Sequence, residues 1–208
     1  WKELGKINGK EYIVKTIVTT ETIKTIAERN GVEIYDVYTG FKWIANVMRE
    51  NEGKKNYIGG GEESYGFLCE DFVRDKDAVS ACVILAEIAA WAKDQGLSLY
   101  QLLQKIYVEY GFSKEKGISV VKKGKSGAEE IEAMMKKFRE NPLTEIAGSK
   151  VTYFYDYSTL KGKDYAENET VTLDMPTTSN VLQYFTEDNT KVSIRPSGTE
   201  PKIKFYCE

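Results

Sequence analysis

The sequence predicts an α/β domain followed by an α+β domain, and two changes of texture along the chain carry that prediction. Up to Gly111, β-branched runs alternate with stretches whose apolar residues recur at helical spacing, the pattern of strands interleaved with covering helices. After the charged stretch Ser113-Lys114-Glu115-Lys116-Gly117, a single helical pattern is followed by strands alone. The boundary is expected between 115 and 116, so that 1–115 and 116–208 are both of ordinary domain size.

In the first half, Tyr12 to Val18 is a β-branched run that predicts a strand. Thr19 and Thr20 are hydroxyl caps for a helix through Ile23, Ile26 and Ala27 that stops at Gly31. Val32 to Val37 is the second strand, completing a βαβ unit. Phe41 to Glu50 places Ile44, Val47 and Met48 on one helical face. Tyr57-Ile58 is a short strand that runs into Gly59-Gly60-Gly61. A long apolar helix follows from Asp77 to Asp94, closed by Gly96, and another from Ser98 to Glu109.

In the second half, a short apolar run precedes a helix from Gly127 to Glu140, whose start is read from Ser126 and Glu129 as a capping box. Beyond Pro142, strands are predicted at Val151 to Tyr157, Thr170 to Leu173, Val181 to Phe185, Val192 to Arg195 and Lys202 to Cys207. No internal repeat interrupts this order.

Composition removes whole classes of chemistry. The 208 residues contain no histidine, which excludes Ser-His-Asp and Cys-His catalysis and histidine-ligated metal within this chain. With 29 basic and 32 acidic residues the net charge is −3, not the basic footprint that nucleic acid or an anionic membrane surface demands. Cys69, Cys82 and Cys207 are odd in number and far apart, which fits neither a disulfide framework nor a CxxC metal site and points to a reducing cytoplasm. No apolar run has the roughly 18 to 20 residues of a membrane helix, and the N-terminus lacks the pattern of a signal peptide. The sequon Asn168-Glu169-Thr170 is therefore read as coincidence. The chain opens at Trp1 without an initiator Met and closes at Glu208 on a strand-like alternation, and is expected to be a piece of a longer protein.

Three loops could carry chemistry. In Gly59 to Gly66, glycines allow positive φ and close backbone approach, and Glu62 and Ser64, two apart in extended chain, offer a carboxylate and a hydroxyl to vicinal sugar hydroxyls. On composition alone, an exposed turn with solvated acids serves as well. In Arg195 to Lys202, the guanidinium of Arg195, the hydroxyls of Ser197 and Thr199 and the backbone around Gly198 suit a phosphate, with Pro196 and Pro201 holding the shape. A hairpin turn with an incidental arginine is the plainer reading. In Thr39 to Lys42, Lys42 sits in a first helical turn, where a cation opposes the macrodipole unless an anionic ligand holds it, or is simply a surface lysine. Gly124-Lys125-Ser126 imitates a Walker A loop but has Ser119 where the first glycine belongs, and Asp77 is accounted for as a helix cap, leaving Arg74 available for a site.

Taken jointly, Thr39-Gly40-Phe41-Lys42, the Gly-Glu-Glu-Ser-Tyr-Gly loop at Gly61 to Gly66, Arg74 to Asp77 and Arg195 to Lys202 resemble the α-D-phosphohexomutase family, in the order and spacing of its bacterial phosphoglucomutase/phosphomannomutase members. The resemblance covers essentially the whole chain. It implies the third α/β domain of a four-domain protein and a last α+β domain of the TATA-binding-protein-like type, without that domain's terminal helix. Glu62 and Ser64 would bind sugar hydroxyls, Arg195, Ser197, Gly198 and Thr199 the phosphate not being transferred, and Lys42 and Arg74 would add cations to the cleft. Glu63, Tyr65 and Gly66 resemble the phosphoglucomutase variant of the loop, so glucose phosphate is the expected substrate and mannose phosphate the extension.

The family's reaction passes a phosphoryl group from an enzyme phosphoserine to the sugar through glucose 1,6-bisphosphate, with magnesium. Neither the phosphoserine loop nor the aspartate-rich magnesium loop occurs in this sequence. The resemblance thus implies no catalytic or metal-binding residue in this chain, which by itself would be inactive and would depend on the remaining domains of its parent. A non-catalytic phosphosugar-binding module is the alternative, and a structural protein with the loops on separate surfaces is a third class.

Overall fold

The computed structural model describes residues 1–198 and 200–208, and the chain divides into two compact units, Trp1–Ser113 and Lys114–Glu208. In the first unit the order is β1 (Glu11–Thr16), α1 (Thr22–Arg29), β2 (Glu33–Val37), α2 (Phe41–Asn51), β3 (Asn56–Gly61), β4 (Phe67–Cys69), α3 (Ala78–Asp94) and α4 (Leu99–Tyr110). The sheet runs β2-β1-β3-β4; β1 is parallel to β2 and β3, and β4 closes the edge antiparallel to β3. Because β1 stands between β2 and β3, the connections leave it in opposite directions, which makes its carboxyl end a topological switch point, where open α/β sheets bind ligands.

Alternation along β1 decides its two faces. Tyr12 and Val14 join Ile44, Val47 and Met48 of α2 and Tyr57 and Leu68 in one buried cluster. On the other face Lys15 is 1% exposed, and its ammonium lies 2.9 Å from Glu21 and 2.6 Å from Asp36. At the amino end, buried Glu11 accepts from the amides of Asn8, Gly9 and Lys10 and from the side chain of Asn56, stitching the start of β1 to that of β3. α3 is capped by Asp77, as its sequence predicts, yet it exposes Val79, Val83, Leu85, Ile88 and Trp91, and Ala92 is its buried residue.

Several local expectations are corrected. Gly59, Gly60 and Gly61 are part of β3 rather than of a loop, and none has positive φ. Close approach is what excludes a side chain: a Cβ on Gly60 would run into the Val14 carbonyl and come within 2.6 Å of the Tyr57 hydroxyl. The cap position of α1 is Glu21; Thr20 accepts from the Thr22 amide, while the Thr19 hydroxyl is bonded to that of Thr16 at 2.8 Å.

The second unit comprises β5 (Lys116–Val121), α5 (Gly124–Glu140), β6 (Glu145–Ile146), β7 (Ser149–Asp156), β8 (Lys161–Asp164), β9 (Glu169–Thr172), β10 (Leu182–Thr186), β11 (Lys191–Pro196) and β12 (Lys202–Cys207). Its eight-stranded sheet follows the path β5-β12-β11-β10-β7-β8-β9, with β6 paired to β7 off that path. One face, through Leu182, Tyr184, Val192, Ile194 and Ile203, packs on Ile131 and Met135 of α5. α5 begins at Gly124 with Lys123 at the cap and no side-chain cap bond, so Ser126 lies inside the helix and the expected capping box is absent. Among the described residues no helix is long and apolar enough to cross a membrane.

Candidate functional site

Three loops leave the carboxyl ends of β1, β2 and β3, and the residues flagged in the sequence fall in two of them. β2 ends at Val37, and the chain turns through Gly40, whose φ of +117° suits glycine, into α2. β3 ends at Gly61, and a tight loop follows, closed by the Glu62 amide donating to the Gly66 carbonyl at 2.7 Å. The two loops are joined: Glu62 Oε1 accepts from the Gly40 amide at 2.6 Å. A carboxylate here complements the positive end of the α2 macrodipole and offsets the unfavourable position of Lys42, which is exposed in the first turn with its Nζ 5.0 Å from the Trp43 ring centroid.

Glu62 and Lys42 are thus brought to one helix end. Ser64 lies two residues on in the same loop, exposed. Arg74 is not brought there. Its guanidinium is 3.2 Å from Glu52, the C-terminal cap residue of α2, and α2 is about 16 Å long at 1.5 Å per residue. Sequence order gave no sign of this, since two strands, β3 and β4, separate the partners along the chain. The same holds for the buried Lys15, which reads as one polar residue in a strand yet sits just below the switch point with Thr16, whose hydroxyl is 3.4 Å from Glu63.

In the second unit, β11 and β12 form a hairpin whose loop is held by the Ser197 amide on the Lys202 carbonyl at 2.7 Å and by the Lys122 amide on the Pro201 carbonyl at 2.8 Å. Arg195 is half-buried and directly opposite Lys204, on the sheet face away from α5, with Ser119 of β5 opposite Lys204 in turn. Like charges facing across strands are unfavourable unless something anionic lies between them. Among the described residues neither cation makes a salt bridge. Gly198 is exposed, and apart from its chain neighbours no described residue comes within 4 Å of where a Cβ would stand. Thr199 lies outside the described residues. No group of three or more Cys, Asp or Glu side chains among the described residues could hold a metal ion.

Residues 1–110 match the family model described as "Phosphoglucomutase/phosphomannomutase, alpha/beta/alpha domain III". The chain belongs to the phosphoglucomutase/phosphomannomutase family. It is 36% identical over 204 residues to the phosphoglucomutase of Staphylococcus haemolyticus (strain JCSC1435), covering 98% of this chain and 37% of that protein. It is 40% identical over 194 residues to the phosphoglucomutase of Staphylococcus aureus (strain bovine RF122 / ET3-1), covering 93% of this chain and 35% of that protein. The chain therefore spans just over a third of the length of these relatives. Its fold is that of the open-form crystal structure of the exocytosis-sensitive phosphoprotein pp63/parafusin (phosphoglucomutase) from Paramecium, with a TM-score of 0.63 at 19% identity over 93% of this chain and 32% of that one.

Proposed function

We propose that this chain is the substrate-recognition part of a phosphohexomutase that interconverts hexose 1-phosphate and hexose 6-phosphate. One observation carries the reading: Arg195 faces Lys204 across the hairpin, with no salt-bridge partner for either among the described residues, beside the open backbone at Gly198. A phosphate monoester neutralises both cations and accepts charge-assisted hydrogen bonds worth about 1.5 to 3 kcal/mol each. Ser197, Gly198 and Thr199 supply the further donors. At the other site, the Gly40 amide fixes one oxygen of Glu62, and the second oxygen and the Ser64 hydroxyl take vicinal sugar hydroxyls, with Lys42 as a nearby cation. Arg74 is left out of this proposal because it is paired at the far end of α2.

Neither a phosphate contact nor a hydroxyl contact depends on which carbon carries the phosphate, which suits an exchange through a 1,6-bisphosphate with its two sugar orientations. The phosphoserine and the magnesium belong to the remaining domains of the parent, a cytoplasmic enzyme with glucose phosphate as preferred substrate. Calorimetric titration of the 208-residue chain with glucose 1-phosphate is the test. Binding that is lost in Arg195→Ala at unchanged thermal stability is expected, and binding indifferent to Arg195 overturns the reading. Turnover of glucose 1-phosphate to glucose 6-phosphate by this chain alone would overturn its assignment as a recognition part.

A further inference from the structure

We infer that Tyr65 is a sugar-contacting residue, its ring forming an apolar platform for the C–H face of the pyranose whose hydroxyls Glu62 and Ser64 take. The inference rests on the proposed sugar role of those two residues. Two observations converge on Tyr65. It is 99% exposed, the fullest exposure of any large apolar side chain among the described residues. Its φ is +70°, in the left-handed region that bulky side chains avoid and glycine enters freely. No aromatic pairing or hydrogen bond of its side chain compensates among the described residues. A bulky residue held at positive φ at a loop tip, with its ring turned to solvent, points to a role outside the fold.

The loop's closure explains how the conformation is enforced. The Glu62 amide holds the Gly66 carbonyl, and Glu62 Oε1 is tied to Gly40. Gly66 is buried with no spare room: a Cβ there would lie 3.1 Å from Glu62 Oε2, 3.3 Å from Lys76 Cδ and 3.3 Å from Phe41 Cε2. With both ends pinned, the tip turns outward at Tyr65. Tyr65 also borders, with Glu62 and Gly66, a cavity of about 960 Å³ whose remaining lining is largely apolar, Ile13, Ile23 and Trp91 among it. A pyranose presents polar edges and C–H faces; Glu62 and Ser64 suit the edges, and a rigid aromatic ring beside them suits a face.

The test titrates wild type, Tyr65→Phe, Tyr65→Ala, Tyr65→Gly and Glu62→Gln with glucose 1-phosphate and, separately, with inorganic phosphate. Tyr65→Ala and Tyr65→Gly are expected to weaken glucose 1-phosphate about tenfold, as for an aromatic contact, and to leave inorganic phosphate unchanged. Tyr65→Phe, which keeps the ring, is expected to stay within about twofold. Tyr65→Gly is expected to melt at higher temperature than wild type while binding sugar less well, a combination that a structural role cannot produce. Unchanged glucose 1-phosphate affinity in Tyr65→Ala alongside a loss in Glu62→Gln overturns the inference and leaves the sugar site standing. A loss in Tyr65→Phe equal to that in Tyr65→Ala overturns stacking, since the hydroxyl would then carry the contact. Indifference of wild-type binding to Glu62→Gln, or no binding at all, overturns the sugar site and the inference together.

Discussion

The carboxylate of Glu62 is hydrogen-bonded at 2.6 Å to the amide of Gly40, so the hairpin between β3 and β4 is fastened to the first turn of α2 by a residue that is itself a candidate ligand. Substitutions can separate this fastening from the ligand role proposed for the same side chain.

Glu62→Ala leaves the Gly40 amide without its acceptor and is expected to cost about 1 to 3 kcal/mol. Glu62→Gln keeps an oxygen facing Gly40 and is expected to fold nearly as well as wild type while losing the charge. Urea denaturation of the three proteins measures this; equal destabilisation by both variants would mean that charge at the helix end matters more than the hydrogen bond.

Lys15 is buried while its partners Glu21 and Asp36 are more than a third exposed. Burial pulls its pKa down, but Asp36 and Glu21 outweigh burial and the net shift is upward from the ordinary 10.5. The stabilisation is therefore complete below pH 10.5 and is lost as pH rises through the higher folded value. Lys15→Met is expected to cost about 3 kcal/mol, the low end for breaking a buried pair, because solvent relieves the two acids left behind. Denaturation midpoints from pH 7 to 12 should show the difference between the proteins narrowing at the alkaline end.

Glu11 has the opposite sign. The Asn56 side chain and the backbone amides beyond it hold its pKa at about 2, against an ordinary 4.5 and against the effect of burial. Its contribution is present above pH 4.5 and is lost as pH falls from there towards 2. Glu11→Gln should be less stable than wild type at pH 7, with the gap closing in that window. A gap that stays constant from pH 7 to pH 2 would remove ionisation from the explanation.

The strands rich in Val, Ile, Tyr and Phe were legible in the sequence because burial on a pleated face and β-branching coincide in them. β8 was not, since Lys161, Gly162, Lys163 and Asp164 carry no strand preference and are held extended by β7 on one side and β9 on the other. Ser126 misled because a capping pair predicts a helix start only where the helix has not already begun at Gly124. At the candidate site, residue types singled out Glu62 and Arg195, but not the bond across 22 residues to Gly40 or the pairing of Arg195 with Lys204. Such contacts follow from strand order and register, which local patterns do not encode.

Gly60 bears on how the Gly-Gly-Gly-Glu-Glu-Ser signature should be interpreted in related chains. The Val14 carbonyl and the Tyr57 hydroxyl exclude a side chain there whether or not a sugar ever binds, whereas Ser64 is exposed and its side chain makes no hydrogen bond among the described residues. A saturation library selected for folding alone is expected to retain Gly60 and to randomise Ser64. The glycines of the signature therefore report on the fold, and, on the proposed reading, it is the hydroxyl two residues past Glu62 that reports on sugar binding.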